Sequence, residues 1–381
     1  MKSLQDQKSV MIIAGEVSGD FHGAKLVAAM RQRNQSLFFC GIGGDALKAA
    51  GVRILVDAAD LAVVGITEVF AKASRILKGI GLTKRLLKSL KPDLLILIDF
   101  PGFNLHIAAT AKKLGIPVLY YISPQIWAWR PGRAKKIGRR VDHLAVILPF
   151  EENFYRQHEI PVSFVGHPLL DNTAGPSDLP RARSLHHNPV VGLLPGSRDK
   201  EIASLLPIML AAARNLHKRN PNIKFIISIA PSVAKGYIEA MVEEHGLDSN
   251  CQLVSDRVEN IFERCSLAVV ASGTVTLQAA ICGTPIVIVY KVSPISALIA
   301  RILVRVENIG LVNLIAGKQI APELVQENAT AENITESVVH LLDNTAALET
   351  QRREMSRVKE SLGGPGASER VAQIAMNMLR Q

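Results

Sequence analysis

Short aliphatic runs alternating with longer stretches of helical period dominate this chain, and nothing else in it restricts the fold as strongly. In the first half the expected strands are Val10–Ala14, Leu37–Gly41, Leu94–Asp99, Val118–Ile122, His143–Ile147 and Val162–Val165. A second set follows at Val190–Leu194, Lys224–Ile229, Gln252–Val254, Leu267–Ala271 and Ile286–Tyr290. Strands separated by helices imply parallel sheets covered by helices on both faces. Between the two sets, Pro and polar residues take over in "HPLLDNTAGPSDLPRARSLHHNP" (167–189), which reads as a linker. The expected architecture is two doubly wound α/β domains with a cleft between them. Their boundaries are 1–170 and 190–344, joined by a linker at 171–189 and followed by a helical segment at 345–381 that is interrupted at "GGPGAS" (363–368). No internal repeat and no low-complexity tract is visible.

Composition narrows the class. The 381 residues suffice for two domains of ordinary size, and 48% hydrophobic with 20% charged residues describes a globular chain. Aromatics, at 5%, are too sparse for a base-stacking nucleic-acid binder. The formal charge of +10 implies attraction to something acidic, although a solvated basic surface explains it equally well. Cys40, Cys251, Cys265 and Cys282 show no metal-like spacing and read as reduced thiols of a cytosolic protein. The first strand follows "MKSLQDQK" directly, leaving no room for a secretory signal, and no apolar run is long enough to span a bilayer.

In open α/β sheets, ligands bind beyond the carboxyl ends of the strands, so those ends hold the candidate sites. The clearest phosphate signal is "VVGLLPGSRDKEI" (190–202). Gly196 permits close backbone approach, Ser197 offers a hydroxyl and Arg198 a planar fork suited to a diphosphate. The bland alternative is a β-turn with a solvated arginine. A second strand ends at Ser272-Gly273-Thr274 and passes directly into an apolar helix, whose free amides suit an anion. A simple Ser/Thr cap explains that loop too. By contrast, the glycines of "AGEVSGDFHGAK", at 15, 19 and 23, are spaced by four and do not form a G-x-G-x-x-G site. That loop is expected to wall the acceptor side of the cleft.

Asp99 closes the very apolar strand in "DLLILIDFPGFN" (93–104). A carboxylate there would be partly desolvated and suited to general-base work, or it caps the next turn. His22, His106 and His167 are rival bases. "YYISPQIWAWRPGRAKKIGRR" (120–140) either clamps an acidic, partly apolar substrate or is a solvated basic helix with packing aromatics. In segment 61–92, Ile66, Val69, Phe70, Ala73, Ile76, Leu77 and Ile80 line one helical face, with Lys72, Arg75 and Lys78 opposite. Such a face packs on its own sheet or lies in a membrane interface.

"AGEVSGD", "VVGITEV", "ISPQIWAWR", "IGRRVDHLAVILPFE", "FVGHPLLD", "LPGSR", "ASGTVTLQ" and "VNLIAG" occur in this order over nearly the whole chain. The set closely resembles the lipid-A-disaccharide synthase family, glycosyltransferases with two Rossmann-like domains facing a cleft (GT-B). The resemblance implies transfer of a sugar from UDP-2,3-diacylglucosamine to 2,3-diacylglucosamine 1-phosphate (lipid X). The products are UDP and a β-1,6-linked lipid A disaccharide phosphate. It further implies an inverting reaction without metal or cofactor, at the cytoplasmic face of the inner membrane, in a homodimer that exchanges C-terminal segments. By the same resemblance Asp99 is the general base. Gly196, Ser197, Arg198, Ser272, Gly273, Thr274, Gln278 and Asn313 hold the UDP-sugar. From the residues themselves, Glu16, Ser18, Gly19, Asp20, Asn104 and Gln125 are expected on the acceptor side, and Ile66, Val69 and Phe70 at the membrane. One departure stands out: Gln278 sits where family members commonly carry Glu, which accepts hydrogen bonds from ribose hydroxyls. Gln still accepts through its carbonyl, but the charge is gone.

Two alternatives stay open at the level of sequence. One is another UDP-sugar enzyme of this architecture, a different glycosyltransferase or a UDP-N-acetylglucosamine epimerase. The other is a basic peripheral protein that binds anionic lipid without turnover.

Overall fold

A computed structural model describes residues 7–60, 69–129, 131–172, 188–230, 233, 235–247, 249–293 and 307–380. The chain divides into two compact units: Met1–Thr173 together with Leu362–Gln381, and Ala174–Ser361.

The first unit is built on a seven-stranded sheet in the order β3-β2-β1-β4-β5-β6-β7, parallel throughout. Its strands are β1 (Ser9–Ala14), β2 (Phe38–Gly43), β3 (Arg53–Asp57), β4 (Leu94–Ile98), β5 (Val118–Tyr121), β6 (His143–Val146) and β7 (Val162–Phe164). Alternate residues of the central strands serve opposite faces, as the pleat requires. Met11, Ile13, Leu95 and Leu97 pack with Ile80 and Leu87 of the helix Val69–Leu90 and with Phe103 and Ile107 of the helix Pro101–Lys113. Val10, Ile12, Leu94 and Ile96 pack with Leu26, Val27 and Met30 of the helix Val17–Arg33.

Further along that second face, Leu119, Tyr121, Ala145 and Val165 share a core with Val371, Ala372 and Ala375 of the helix Ala367–Met378. The chain's last helix therefore covers sheet that the local helices leave bare. Asp171 fastens it: the carboxylate accepts from the amides of Gly366 (2.8 Å), Ala367 (3.0 Å) and Ser368 (3.3 Å) and from the Ser368 hydroxyl (3.2 Å). These amides have no intrahelical acceptor, so a carboxylate there both satisfies them and complements the helix dipole.

The second unit holds a six-stranded parallel sheet in the order β10-β9-β8-β11-β12-β13. The strands are β8 (Val190–Leu194), β9 (Lys224–Ser228), β10 (Cys251–Val254), β11 (Leu267–Ala271), β12 (Ile286–Tyr290) and β13 (Glu323–Val325). Its strand order repeats that of β3-β2-β1-β4-β5-β6, a structural repeat that left no sequence repeat. In both units the first and fourth strands lie side by side, with chain connections leaving in opposite directions. That is the topological switch point, where the carboxyl ends open a crevice.

Several expectations change. β3 and β13 are additional; both are edge strands, one bounded by Arg53 and Asp57, the other only three residues long. The segment 345–381, expected to pack across domains or subunits, divides between the units: the helix Thr345–Ser361 belongs to the second, where Gln351 Nε2 donates to Ile286 O at 2.9 Å, and Ala367–Met378 to the first. Asp171, expected in the linker, is part of the first unit's latch, while 173–187 lies outside the described residues. In the segment 61–92, Ile66 lies outside the described residues, as do the side chains of Val69, Phe70 and Ala73. Ile76 and Ile80 face the core, but Leu77 is 67% exposed, so the apolar face is split.

Removing the latch should loosen the first unit. Asp171→Ala is expected to lower its unfolding free energy by about 0.5–2 kcal/mol, the range for a lost helix cap, measured by urea unfolding. An unchanged midpoint would mean that the helix is not held this way.

Candidate active site

The crevice of the first unit lies between the ends of β1 and β4. β1 runs into Gly15 and Glu16, and the helix Val17–Arg33 begins at once. β4 ends at Ile98, followed by Asp99 and Phe100, both in the left-handed region (φ 45° and 48°). Two consecutive non-glycine residues there are strained and persist only when their surroundings enforce the geometry. The enforcement is visible. Asp99 N donates to Tyr121 O (3.2 Å), and Asp99 O accepts from Asn104 Nδ2 (2.7 Å) and the Tyr120 hydroxyl (2.6 Å). Gly15 completes the arrangement, because a Cβ at that position would overlap the Phe100 ring.

This turn leaves the Asp99 carboxyl half-buried at the strand end. Burial, and secondarily the Glu16 carboxylate, push it up to about 6, against a lowering hydrogen bond from the Phe100 amide. A carboxyl poised there is ionised near neutral pH yet remains a competent proton acceptor. The rival histidines fare worse. His22 and His167 are held down to about 4, chiefly by burial, and His167 Nδ1 accepts from Leu169 N (3.2 Å). His106 is exposed on the helix Pro101–Lys113.

The other acceptor-side candidates separate into two groups. Glu16, Ser18 and Gln125 are exposed. Asp20, Asn104 and Gly19 are buried and occupied structurally. Asp20 accepts from the amides of Gly44 (2.7 Å), Ala46 (2.9 Å) and Leu47 (3.3 Å). Asn104 is the brace under Asp99, also donating to Ile98 O at 3.2 Å. Gly19 lets the first helix approach Ala14 and Ile98. Gln125 projects from a loop pinned by Glu151, a buried carboxylate. Its Oε1 accepts from the Ser123 hydroxyl (3.0 Å) and the Trp127 indole (3.1 Å), and Oε2 accepts from Leu148 N (3.1 Å). Burial lifts Glu151 to about 7 in spite of these donors. Trp127 packs edge-on to Phe150 with ring centroids 4.7 Å apart.

In the second unit a cavity of about 420 Å³ opens at the ends of β8 and β11. Gly196, Ser197 and Arg198 form one wall; Ser272, Gly273, Thr274 and Gln278 form another. Gly196 has φ 109°, and a Cβ there would meet the Glu201 carboxylate. Arg198 is exposed and paired with Glu201 (Nη1 to Oε1, 2.8 Å). Ser272 Oγ donates to Ile309 O (3.0 Å), tying this loop to the chain before Gly310. Asn313 is fully buried and all its capacity is used. Nδ2 donates to Ala321 O (2.8 Å) and Glu323 Oε1 (2.7 Å), while Oδ1 accepts from the amides of Ile320 (2.8 Å) and Ala321 (2.9 Å). It shapes the loop through these bonds. Glu323, which also accepts from Ile309 N and Gly310 N at 2.9 Å, was not foreseen, because a lone acid on a short edge strand carries no pattern.

Among the described residues no group of three His, Cys, Asp or Glu side chains could hold a metal ion, and no helix is long and apolar enough to cross a membrane.

Residues 10–378 match the family described as Lipid-A-disaccharide synthetase. The chain belongs to that family. It is 46% identical to the lipid-A-disaccharide synthase of Geobacter sulfurreducens over 97% of both chains, and 45% identical to that of Syntrophus aciditrophicus over 99% of both. Its fold is similar to that of CalG4, the calicheamicin glycosyltransferase, with a TM-score of 0.63 at 16% identity, covering 98% of each chain. The fold is thus of the GT-B glycosyltransferase type. Membership of the family decides against the epimerase alternative, which the architecture alone leaves open.

The raised Asp99 pKa has a stability signature. A carboxyl whose folded pKa exceeds its unfolded value of 3.8 favours the folded state below about pH 4, and that support is lost as pH rises through about 6. Asp99→Asn should therefore match the parent protein near pH 4 and exceed its stability at pH 8 by about 1–3 kcal/mol, read from denaturant unfolding at both values. Equal stability at pH 8 would contradict the burial argument.

Proposed function

We propose that this chain transfers the sugar of UDP-2,3-diacylglucosamine to 2,3-diacylglucosamine 1-phosphate, forming the β-1,6-linked disaccharide 1-phosphate and UDP. The observation that carries the reading is Asp99: a half-buried carboxyl, held at a switch point in a strained turn, titrating near 6. It takes the proton of the acceptor's attacking hydroxyl as that oxygen bonds to the donor's anomeric carbon. The bond to the diphosphate breaks on the opposite face, so the configuration inverts and UDP leaves with the electron pair.

The leaving diphosphate gains charge, which Arg198 and the amides at the starts of the helices Asp199–Arg219 and Val275–Cys282 are suited to stabilise. Arg198 must exchange Glu201 for phosphate. An exposed pair of that kind is worth about 0–1 kcal/mol, so the exchange is easy. Ser197 and Thr274 add hydroxyls beside the same cavity. Glu16, Ser18 and Gln125 are the polar groups left free of burial for the acceptor sugar.

The assay is direct. Purified protein given both acylated substrates should release UDP and disaccharide in equal amounts. Asp99→Asn should lose at least a hundredfold in turnover, in the range of general-base contributions, with UDP affinity unchanged, whereas Arg198→Ala should weaken UDP binding. Folded protein that binds UDP and forms no product would refute the reading.

Both substrates are acylated, and the chain is read as peripheral at the cytoplasmic face of the inner membrane, through Ile66, Val69 and Phe70. Exposed Leu77, two turns further along the helix Val69–Leu90, supports an outward apolar strip, and the charge of +10 favours anionic lipid. Val69→Glu with Phe70→Glu should reduce flotation with anionic vesicles while leaving the melting temperature unchanged; a lowered melting temperature would make that face core. In a homodimer exchanging C-terminal segments, the helix Ala367–Met378 would make its present contacts on the partner's sheet. Analytical ultracentrifugation tests this, a monomer at all concentrations ruling it out.

A further inference from the structure

Gln278 occupies an informative place in the cavity of the second unit. It follows Thr274 by four residues, one turn further along the helix, hence about 6 Å from the anion-binding end of the loop. Thr274 and Gln278 both line the cavity, so what faces Gln278 is the part of a nucleotide one step beyond its phosphates: the sugar. Gln278 Nε2 donates to Glu259 Oε1 at 3.0 Å. Glu259 stands in the first turn of the helix Val258–Arg264, and its other oxygen lies 3.7 Å from Arg257 Nε. A carboxylate only accepts hydrogen bonds, so the amide must turn its NH₂ towards Glu259. Its carbonyl Oε1 is then directed elsewhere, and none of the described hydrogen bonds uses it.

We propose that Glu259 is a positioning residue for nucleotide recognition: it locks the Gln278 amide so that the carbonyl oxygen is presented to a ribose hydroxyl of a nucleoside diphosphate. This rests on the reading of the cavity as the UDP site and adds a residue from a different helix to it. The arrangement explains how an uncharged side chain serves at this position. An amide free to flip would present its NH₂ half the time, and two orientations would blur the recognition of a hydroxyl donor. With Glu259 behind it, only one orientation is satisfied. It also makes glutamate at 278 unfavourable in this chain, because two carboxylates would face each other at hydrogen-bond distance.

The test is a comparison of UDP with 2′,3′-dideoxy-UDP by isothermal titration calorimetry. The parent protein should prefer UDP. Glu259→Ala should reduce that preference roughly three- to tenfold, the worth of one hydrogen bond, with dideoxy-UDP affinity unchanged. Gln278→Glu should weaken UDP binding by about tenfold or more through the half-buried like-charge pair. Adding Glu259→Gln to Gln278→Glu should restore it, since the mirrored pair again has one donor and one carboxylate. A variant that merely misfolds loses both nucleotides equally, and the restored double variant excludes that explanation. Parent-like UDP preference in Glu259→Ala, or a double variant no better than Gln278→Glu, overturns the assignment of Glu259 while leaving the UDP site intact. No UDP binding by the parent protein overturns both.

Discussion

A parallel sheet leaves neither of its faces to water, and the organisation of this chain follows from meeting that requirement. In the first unit the helix Val17–Arg33 covers one face beside β1 and β2, while Val69–Leu90 and Pro101–Lys113 cover the other. Leu119, Tyr121, Ala145 and Val165 remain on the first face with no local helix to bury them. The last helix of the chain supplies the cover, at roughly 1.5–3 kcal/mol for each large apolar side chain removed from water. The whole second unit is thus an insertion between Thr173 and Leu362. Asp171, just before that insertion, holds the amides of Gly366, Ala367 and Ser368 just after it. A single carboxylate closes the unit where the chain leaves it and returns.

The same winding that covers the sheets creates the sites. Crossover helices leave β1 and β4 on opposite faces, and β8 and β11 likewise, so no chain fills the crevices at their carboxyl ends. The first unit uses its crevice to expose strained backbone and a carboxyl with an elevated pKa. The second sets helix starts and a guanidinium beside its crevice. Under the proposed mechanism, acceptor activation and leaving-group stabilisation would draw on opposite electrostatics, each on its own copy of one topology.

The central strands were legible because β1, β4, β8 and β11 are aliphatic at nearly every position, a pattern that only a strand buried on both faces shows. β3 and β13 were not, being edge strands with charged ends, and neither was the return of the last helix, since a helix pattern does not name the sheet it covers. Asp99 and Arg198 stand just beyond strands in the sequence, and the structure adds the strained turn around Asp99 and the cavity that Arg198 and Gln278 line. Asp20, Asn104 and Asn313 show what the sequence leaves out: short polar side chains after strands look available for ligands, but here Asp20 accepts from backbone amides, Asn104 Nδ2 donates to backbone carbonyls, and Asn313 bonds both backbone groups and Glu323. Sequence shows where a polar residue lies along the chain; the partners that saturate it come from elsewhere, Gly44 for Asp20 and Ala321 for Asn313. Glu259 was invisible for the complementary reason, since its significance lies in a residue nineteen positions away on another helix.

Asn104 and Asp20 nevertheless bear on Asp99 indirectly. Asp99 is unfavourable twice over, in its backbone angles and in its buried charge, and each term alone would relax if the turn were free. Asn104 and Tyr120 prevent relaxation by fixing the Asp99 carbonyl, and the collision of any Cβ at position 15 with Phe100 makes glycine obligatory across the crevice. Asp20, by organising the Gly44–Leu47 turn, braces the helix that begins at Glu16, the second contributor to the raised pKa. The opening Gly-rich loop therefore bears on Asp99 through packing and charge. A region of the fold that gives up stability to hold one carboxyl in place is expected where proton transfer is the task. The cavity of the second unit, where an exposed ion pair yields readily to a ligand, has no comparable strain among its described non-glycine residues.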